Sequence, residues 1–128
     1  HGIRLNENGC VQSIVLPSSN LTGTIPELNF NELQELIVSD NKIKGDISII
    51  KSLKKLQIFN CSNNNISGEI PEMITFSKLT HFKCNKNQIS GIISDISHLE
   101  NLKHFDVSSN EFESSLPSLS NNSITVAE

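Results

Sequence analysis

A pattern of apolar residues and asparagine recurs five times along the chain, with spacings of 22, 23, 23 and 23 residues. The first position of each copy is apolar and is occupied by Val11, Leu33, Leu56, Leu79 and Leu102. The fourth position is apolar again and is occupied by Ile14, Leu36, Phe59, Phe82 and Phe105. The ninth position holds Ser19, Asn41, Asn64, Asn87 and Asn110. Because a fixed period of roughly 20 to 50 residues is typical of stacked repeats, the chain is predicted to fold as a solenoid.

Each repeat is predicted to begin with a short strand. Its fourth and sixth positions are apolar and flank one residue expected to face solvent, which is the alternation of a strand with one buried face. One repeat cannot bury its apolar positions alone, so the core is predicted to form between neighbouring repeats. An Asn side chain both donates and accepts hydrogen bonds, so the ninth-position residues are predicted to form a ladder that satisfies buried backbone groups. The members of this structural ladder are Asn41, Asn64, Asn87 and Asn110.

A second motif, Gly-x-Ile-Pro or a near copy, follows position eleven, as in residues 22–26 and 67–71. The combined pattern Asn-x-Leu-x-Gly-x-Ile-Pro resembles the plant-specific class of leucine-rich repeats, and the resemblance covers residues 11 to about 117. It implies a right-handed α/β-type solenoid of five repeats, dominated by short parallel strands. A second short sheet and short helical turns on the convex side are also implied. Ser19 and Ser114 depart from the pattern, at the first ladder position and the last Gly position.

The resemblance also implies a domain organisation and a function. Residues 1–10 resemble the remnant of an N-terminal cap, residues 11–117 form the five repeats, and residues 118–128 are a decaying C-terminal segment or edge strand. Proteins of this class are ectodomains of receptor kinases, receptor-like proteins and secreted inhibitors of cell-wall enzymes. The chain is therefore expected to be a non-catalytic recognition module that binds a protein, peptide or glycan. It is expected to belong to a longer receptor-like or secreted protein, outside the cell or at its surface.

Binding is expected on the concave sheet, where the side chains between the buried positions face solvent. The predicted partner-binding residues are Glu35, Ile37, Ile58, Asn60, His81, Lys83, Lys86, His104 and Asp106. This mixture of apolar and charged groups suits a polypeptide or glycan better than a cofactor, and no cofactor is predicted. The chain has no Trp or Tyr, and Arg4 is its single Arg. Since these residues dominate many binding hot spots, a structural scaffold without its own ligand remains an alternative.

Catalysis and metal binding are not expected, although His81 and His104 are predicted neighbours with Asp106 and Lys83 nearby. An open sheet offers no cleft that would shield these groups and shift their pKa values. A metal-binding or pH-responsive histidine pair is a further reading. Ice binding is another alternative, since some plant-type repeats are antifreeze proteins. That activity needs a regular row of Thr, Ser or Asn, and charged residues interrupt the row flanking the glycines.

Composition limits the partners. A net charge of -4 and the lack of a basic stripe give no footprint for nucleic acid. No apolar run approaches the about 18 residues of a membrane span, so the segment itself is not expected to contact a membrane.

The cysteines and the glycosylation sequons give opposite indications of the compartment. Cys61 and Cys84 occupy position six of consecutive repeats and are expected to be buried free thiols, although a disulfide between adjacent strands is within reach. Cys10, beside the first repeat, is expected in the core. Unpaired cysteines leave a cytoplasmic location open. The sequons, which would carry glycans in a secreted chain, are at Asn20, Asn60, Asn65 and Asn121.

Overall fold

The computed structural model describes residues 2–27, 29–113 and 125–127, and a seven-stranded sheet runs through it. Strands are numbered along the chain. In spatial order, this main sheet consists of β1 (Gly2–Leu5), β2 (Val11–Val15), β4 (Glu35–Ile37), β6 (Ile58–Asn60), β8 (His81–Lys83), β10 (His104–Asp106) and β12 (Thr125–Ala127). β1 is antiparallel to β2, and every later neighbouring pair is parallel. The prediction of a solenoid with one short parallel strand per repeat is confirmed.

Equivalent positions of successive repeats lie opposite each other in the main sheet. Phe82 is in register with Phe59 on one side and with Phe105 on the other. Its ring centroid lies 5.3 Å from that of Phe59 and 5.7 Å from that of Phe105, and all three rings are buried. The sequence period is therefore also the period of the sheet, because each repeat covers the apolar side chains of the next.

A second set of short strands lies beside the main sheet, as the family resemblance implies. β3 (Thr22–Thr24), β5 (Lys42–Asp46) and β7 (Asn65–Ser67) form a three-stranded parallel sheet, and β9 (Ser90–Gly91) pairs with β11 (Glu111–Phe112). The repeated Gly is required here. Gly68 has φ 86°, and a Cβ at this position would collide with the Asp46 carboxylate of the preceding repeat.

Two short 3₁₀ helices return the chain on the side opposite the main sheet. They are η1 (Ile47–Ser52) and η2 (Met73–Thr75). Asp46 caps η1, because its Oδ1 accepts a hydrogen bond of 2.9 Å from the backbone N–H of Ser48. Ile47 and Ile50 of η1 are buried against the core. The short helical turns expected on the convex side are therefore present.

The ninth-position asparagines join neighbouring repeats by hydrogen bonds. Asn64 Oδ1 accepts from the backbone N–H of Ile43 at 2.9 Å. Its Nδ2 donates to the carbonyl oxygens of Val38 and Cys61, both at 3.0 Å. The same arrangement recurs at Asn41, Asn87 and Asn110. Each of these asparagines reaches back to the preceding repeat, and Ser19 stands in the first repeat, which has no earlier repeat to reach.

The core is less complete at the first repeat than in the middle of the solenoid. Its apolar residues Val11, Ile14, Leu21, Ile25 and Phe30 are only partly buried. An apolar cavity of about 200 Å³ opens between the first two repeats. In the second, third and fourth repeats the equivalent residues are buried. Phe112 of the fifth repeat is again only partly buried.

The cysteines also differ in burial between the first repeat and the middle of the solenoid. Cys61 and Cys84 are free and buried, and burial raises the pKa of both thiols well above the ordinary value. Cys10 is free and exposed, so its expected place in the core is wrong. It lies in the connection between β1 and β2, beside the incompletely covered first repeat.

The last Gly-x-Ile-Pro copy beyond residue 113, with Ser114, and the sequon at Asn121 lie outside the described residues. Within the described part of the chain, no helix is both long and apolar enough to cross a bilayer.

Candidate functional site

The candidate site is the solvent-facing side of the main sheet, here called the concave face. In β4, β6, β8 and β10 the middle residue is buried, and the residues on either side of it are half-buried and face solvent. These flanking residues are Glu35, Ile37, Ile58, Asn60, His81, Lys83, His104 and Asp106. Lys86 lies at the edge of the same face, at position eight, and is exposed. The strands therefore bring the sequence-predicted site residues onto one surface.

The first half of the concave face is apolar and acidic. Val15 and Ile37 are in register on β2 and β4, and Ile58 of β6 follows diagonally to form an apolar strip. Ser13 is buried at the start of this strip, and its hydroxyl donates a 2.6 Å hydrogen bond to Glu35 Oε1. This bond fixes the carboxylate beside the apolar side chains.

The second half of the concave face is basic and contains a stacked pair of histidines. The rings of His81 and His104 have centroids 4.5 Å apart and an interplanar angle of 28°. Thr80 Oγ1 lies 2.9 Å from Nδ1 of His81 and holds the orientation of that ring. Lys83 is the next outward residue of β8, and Lys103 is exposed just before β10.

The environment of His81 disfavours the charged form of its ring. Partial burial lowers the pKa of His81 below its ordinary value, and the charges of His104, Lys83 and Lys103 lower it further. The ring is therefore neutral at neutral pH. A negatively charged group placed against the ring would raise the pKa of His81 and so oppose the effect of the neighbouring cations.

Two polar residues of the site are occupied by local hydrogen bonds at the strand ends. Asn60 Oδ1 accepts from the backbone N–H of Ser62 at 3.0 Å and from its hydroxyl at 2.7 Å. Asp106 Oδ1 makes the same pair of bonds to Ser108, at 3.1 and 2.7 Å. Both side chains therefore shape the turn that follows the strand.

A feature that the sequence reasoning missed lies at position eight of every repeat. All five residues there have positive φ, between 49° and 59°, and they are Ser18, Asp40, Asn63, Lys86 and Ser109. Asp, Asn and Ser tolerate this left-handed conformation better than other side chains, and their recurrence just before the ladder residue was the available signal. Lys86 is the exception in residue type.

The sequons differ in accessibility. Asn20 and Asn65 are exposed and lie away from the concave face, whereas Asn60 is half-buried on it. Among the described residues, no group of three or more His, Cys, Asp or Glu side chains is placed to hold a metal ion. The site is therefore an open surface of mixed chemistry.

Comparison with known proteins places this arrangement among leucine-rich repeats. The model described as Leucine Rich repeats (2 copies) matches residues 31–73, and that described as Leucine Rich Repeat matches residues 101–127. A search of curated proteins gives no significant match.

Solved structures of plant receptor ectodomains have the same fold. A chain of the BIR3–SERK2 complex from Arabidopsis thaliana is 29% identical with a TM-score of 0.81, over 91% of this chain and 66% of that one. The ectodomain of the receptor kinase SOBIR1 from Arabidopsis thaliana is 29% identical with a TM-score of 0.72, over 88% of this chain and 67% of that one. A chain from the complex of the Arabidopsis receptor kinase HAESA with the peptide hormone IDA and the co-receptor SERK1 is 31% identical with a TM-score of 0.66, over 71% of this chain and 16% of that one. This chain thus spans about two-thirds, or less, of the length of these three chains.

Proposed function

Since the chain belongs to the plant-type leucine-rich repeat proteins, we propose that its concave face binds a peptide or protein partner. The similar structures support this function. SERK2 occurs in a complex with BIR3, and HAESA occurs with a peptide hormone and a co-receptor. Binding by this module is non-catalytic in the proposal, because the histidines and carboxylates of the face lie on an open surface without a shielding cleft.

The observation that carries the proposal is the contrast between outward and inward residues of the same strands. At the inward fourth position three successive repeats use Phe. In the same three repeats the outward third position holds Ile58, His81 and His104, and in the repeat before them it holds Glu35. A face that needed only to be soluble would have no use for half-buried Ile37 and Ile58 beside an acid and a base. Apolar and charged groups side by side are what a polypeptide ligand, with its own mixed side chains, can match.

A peptide or protein fits this face better than a glycan or ice. The chain has no Trp or Tyr, whose flat rings would offer a stacking surface for a sugar. The exposed residues of the second set of strands include Lys42, Lys44 and Asp46, so charges interrupt any regular hydroxyl or amide row that could match an ice lattice.

We place the module in a longer extracellular or cell-surface protein. The similar chains are receptor ectodomains, and this chain spans 66% of the matched chain in the BIR3–SERK2 complex. Asn20 and Asn65 would be the sequons available to glycosylation in that compartment without obstructing the concave face.

The test is a selection of binders from a random peptide display library against the chain, followed by affinity measurement on variants. Ile37→Ser with Ile58→Ser should weaken the selected peptides at least about tenfold, because central apolar contacts of an interface carry more than 1 kcal/mol each. The matched control is Ile92→Ser, since Ile92 is 65% exposed and lies outside the concave face. The proposal would be wrong if the Ile92 variant lost binding while the concave double variant retained it. A library that yields no binder would favour the scaffold alternative instead.

A further inference from the structure

The second half of the concave face concentrates positive charge on a protein whose net charge is -4. We define the basic patch as Lys83, Lys86, Lys103 and the stacked histidines His81 and His104. All five side chains are half-buried or exposed on the last two repeats of the described solenoid. The cations thus lie on one surface, while acidic residues predominate over the remainder of the chain.

The lysines of the basic patch have no acidic partner within the described part of the chain. The ion pair found there joins Lys55 Nζ to Glu32 Oε1 at 2.9 Å, far from the patch in sequence and on another face. Asp106 is in register with Lys83, but its Oδ1 accepts the two hydrogen bonds from Ser108. With three lysines and the single carboxylate of Asp106, the patch keeps a net positive charge that a ligand can meet.

Lys86 occupies a backbone conformation that disfavours it. Its φ is 59°, at the position where the other repeats place Ser, Asp or Asn. A left-handed conformation costs a long L side chain on the order of 1 kcal/mol, and such strain is concentrated at functional sites. A lysine thus stands at the rim of the concave face although its backbone conformation disfavours a long side chain.

Charged groups surround the histidine pair, and they make the protonation of His81 sensitive to the charge of a ligand. The titratable groups that face it are Lys83 on its own strand, Asp106 on β10 and Lys103 just before β10. The neighbouring strands β6 and β12 place Ile58 and Thr125 in register with the two histidines, and neither residue titrates. The lysines outnumber the single carboxylate, so the local electric field disfavours a proton on His81 until an anionic ligand binds.

From these observations we propose that the basic patch binds an acidic segment of the peptide partner, more tightly at mildly acidic pH, and that His81 takes up a proton on binding. This inference rests on the proposed function and specifies the chemistry of the partner. Carboxylates of the partner would face the lysines, and its apolar residues would continue onto the strip of Val15, Ile37 and Ile58. An acidic peptide is preferred to an acidic glycan because this adjacent strip is apolar.

Thermodynamic linkage gives the direction of the pH effect. In the free protein, burial and the neighbouring cations hold the pKa of His81 below its ordinary value. Carboxylates against the pair raise that pKa, so the complex holds more protons than its separate components. By reciprocity, a pKa raised by about one unit corresponds to about tenfold tighter binding once the solution is acidic enough to protonate His81.

The experiment uses a labelled hexaglutamate peptide as the probe and a hexaglutamine peptide as its uncharged counterpart. Glutamate side chains remain largely ionised at about pH 5.5, whereas the complex is expected to favour protonated His81 as the pH falls from 7.5 toward that value. We expect hexaglutamate, and not hexaglutamine, to bind about tenfold more tightly at the lower pH. Calorimetry in two buffers with different ionisation enthalpies should detect proton uptake on binding.

Two double variants separate the lysines from the histidines. Lys83→Glu with Lys86→Glu should abolish hexaglutamate binding, while Lys51→Glu with Lys54→Glu, an equal change of net charge on the convex side, should leave it intact. His81→Gln with His104→Gln should retain the affinity measured at pH 7.5 and lose both the pH dependence and the proton uptake. Unfolding curves of each variant identify any loss that comes from misfolding.

The proposal is overturned if the convex and concave charge reversals have equal effects, or if the histidine variant keeps the full pH dependence. An oligogalacturonate that binds more tightly than hexaglutamate, with the same sensitivity to the lysine variants, would assign the patch to an acidic glycan and overturn the peptide assignment. Library-selected peptides that need Ile37 and Ile58 but carry no acidic residues would refute this inference and leave the proposed function standing.

Discussion

On the inner face of the main sheet Phe59, Phe82 and Phe105 stack in one column, whereas the adjacent outer column changes from Ile58 to the stacked His81 and His104. The same strands carry both columns, and only the direction of the side chain differs. Inside, each residue must fit an identical neighbour one repeat away, so the residue types recur. Outside, solvent covers the side chains, so the neighbouring repeat constrains the residue type less.

The two columns differ because one serves the fold and the other faces solvent. Positions that recur report on the fold, and positions that vary on an otherwise regular surface report on what the protein meets. Position eight belongs to both groups. Its left-handed backbone recurs in every repeat, but its residue type changes and is Lys86 in the fourth. Substitutions at the two kinds of position can test this distinction.

Asn64→Leu should destabilise the protein by about 3 kcal/mol or more, because it leaves the buried N–H of Ile43 and the carbonyls of Val38 and Cys61 without their partner. Asn65→Leu is the matched control on the adjacent exposed residue and should change stability by about 0.5 kcal/mol or less. Chemical denaturation measures both values. Equal losses would mean that the ladder does not hold the repeats together. Asn63, the other neighbour, is unsuitable as a control because its φ is 56°.

Lys86→Asn should stabilise the protein by up to about 1 kcal/mol, because Asn tolerates the left-handed conformation that strains a lysine. Lys83→Asn, at a half-buried strand position with ordinary backbone, is the comparison and should not stabilise. Thermal or urea unfolding of the two variants separates the effects. If Lys86→Asn lowered stability, the backbone at position eight would not be the source of strain.

His81→Gln should make stability less dependent on pH between about 7.5 and 5. The pKa of His81 is lowered in the folded protein, so the unfolded chain takes up the proton first as the pH falls through about 6.5. Protonation therefore favours the unfolded state, and the wild type should lose stability toward acid relative to the variant. The difference should stay below about 1 kcal/mol, because the ring is partly solvated. A wild type that gained stability relative to the variant on acidification would contradict the direction of the shift.

The repeat register, the parallel strands and the buried column of phenylalanines followed from the period alone, since stacking equivalent positions leaves little geometric freedom. Environments that depend on an end of the solenoid did not. Cys10 was expected in the core because it adjoins Val11, but the first repeat has a hairpin on one side instead of another repeat, and the thiol is exposed. Ser13, in the same repeat, is buried and donates a hydrogen bond to Glu35, which the apolar pattern does not indicate.

The outward residues could be placed from the sequence, but their interactions could not. The pattern put His81 and His104 on adjacent strands, and the 4.5 Å stacking of their rings depends on side-chain torsions that a pattern does not contain. Likewise, the type of Asn60 and Asp106 did not indicate that Ser62 and Ser108 would engage them. Whether these residues contact a partner remains a prediction.

The outward residues of one repeat should replace those of another without loss of stability but with loss of ligand binding. The most direct test gives the last two repeats the outward residues of the third repeat, in which Ile58 and Asn60 stand. The substitutions are His81→Ile, Lys83→Asn, His104→Ile and Asp106→Asn, the last of which preserves the acceptor for Ser108 as Asn60 does for Ser62.

The measurement is the affinity of this quadruple variant for the hexaglutamate probe at about pH 5.5, made on protein whose unfolding curve has been recorded. The free energy of unfolding of the variant should stay within about 1 kcal/mol of the wild type. Its affinity for hexaglutamate should be at least about tenfold weaker, which corresponds to a loss of about 1.4 kcal/mol of binding free energy. A variant that binds as tightly as the wild type, or one that loses several kcal/mol of stability, would contradict the division between the two faces.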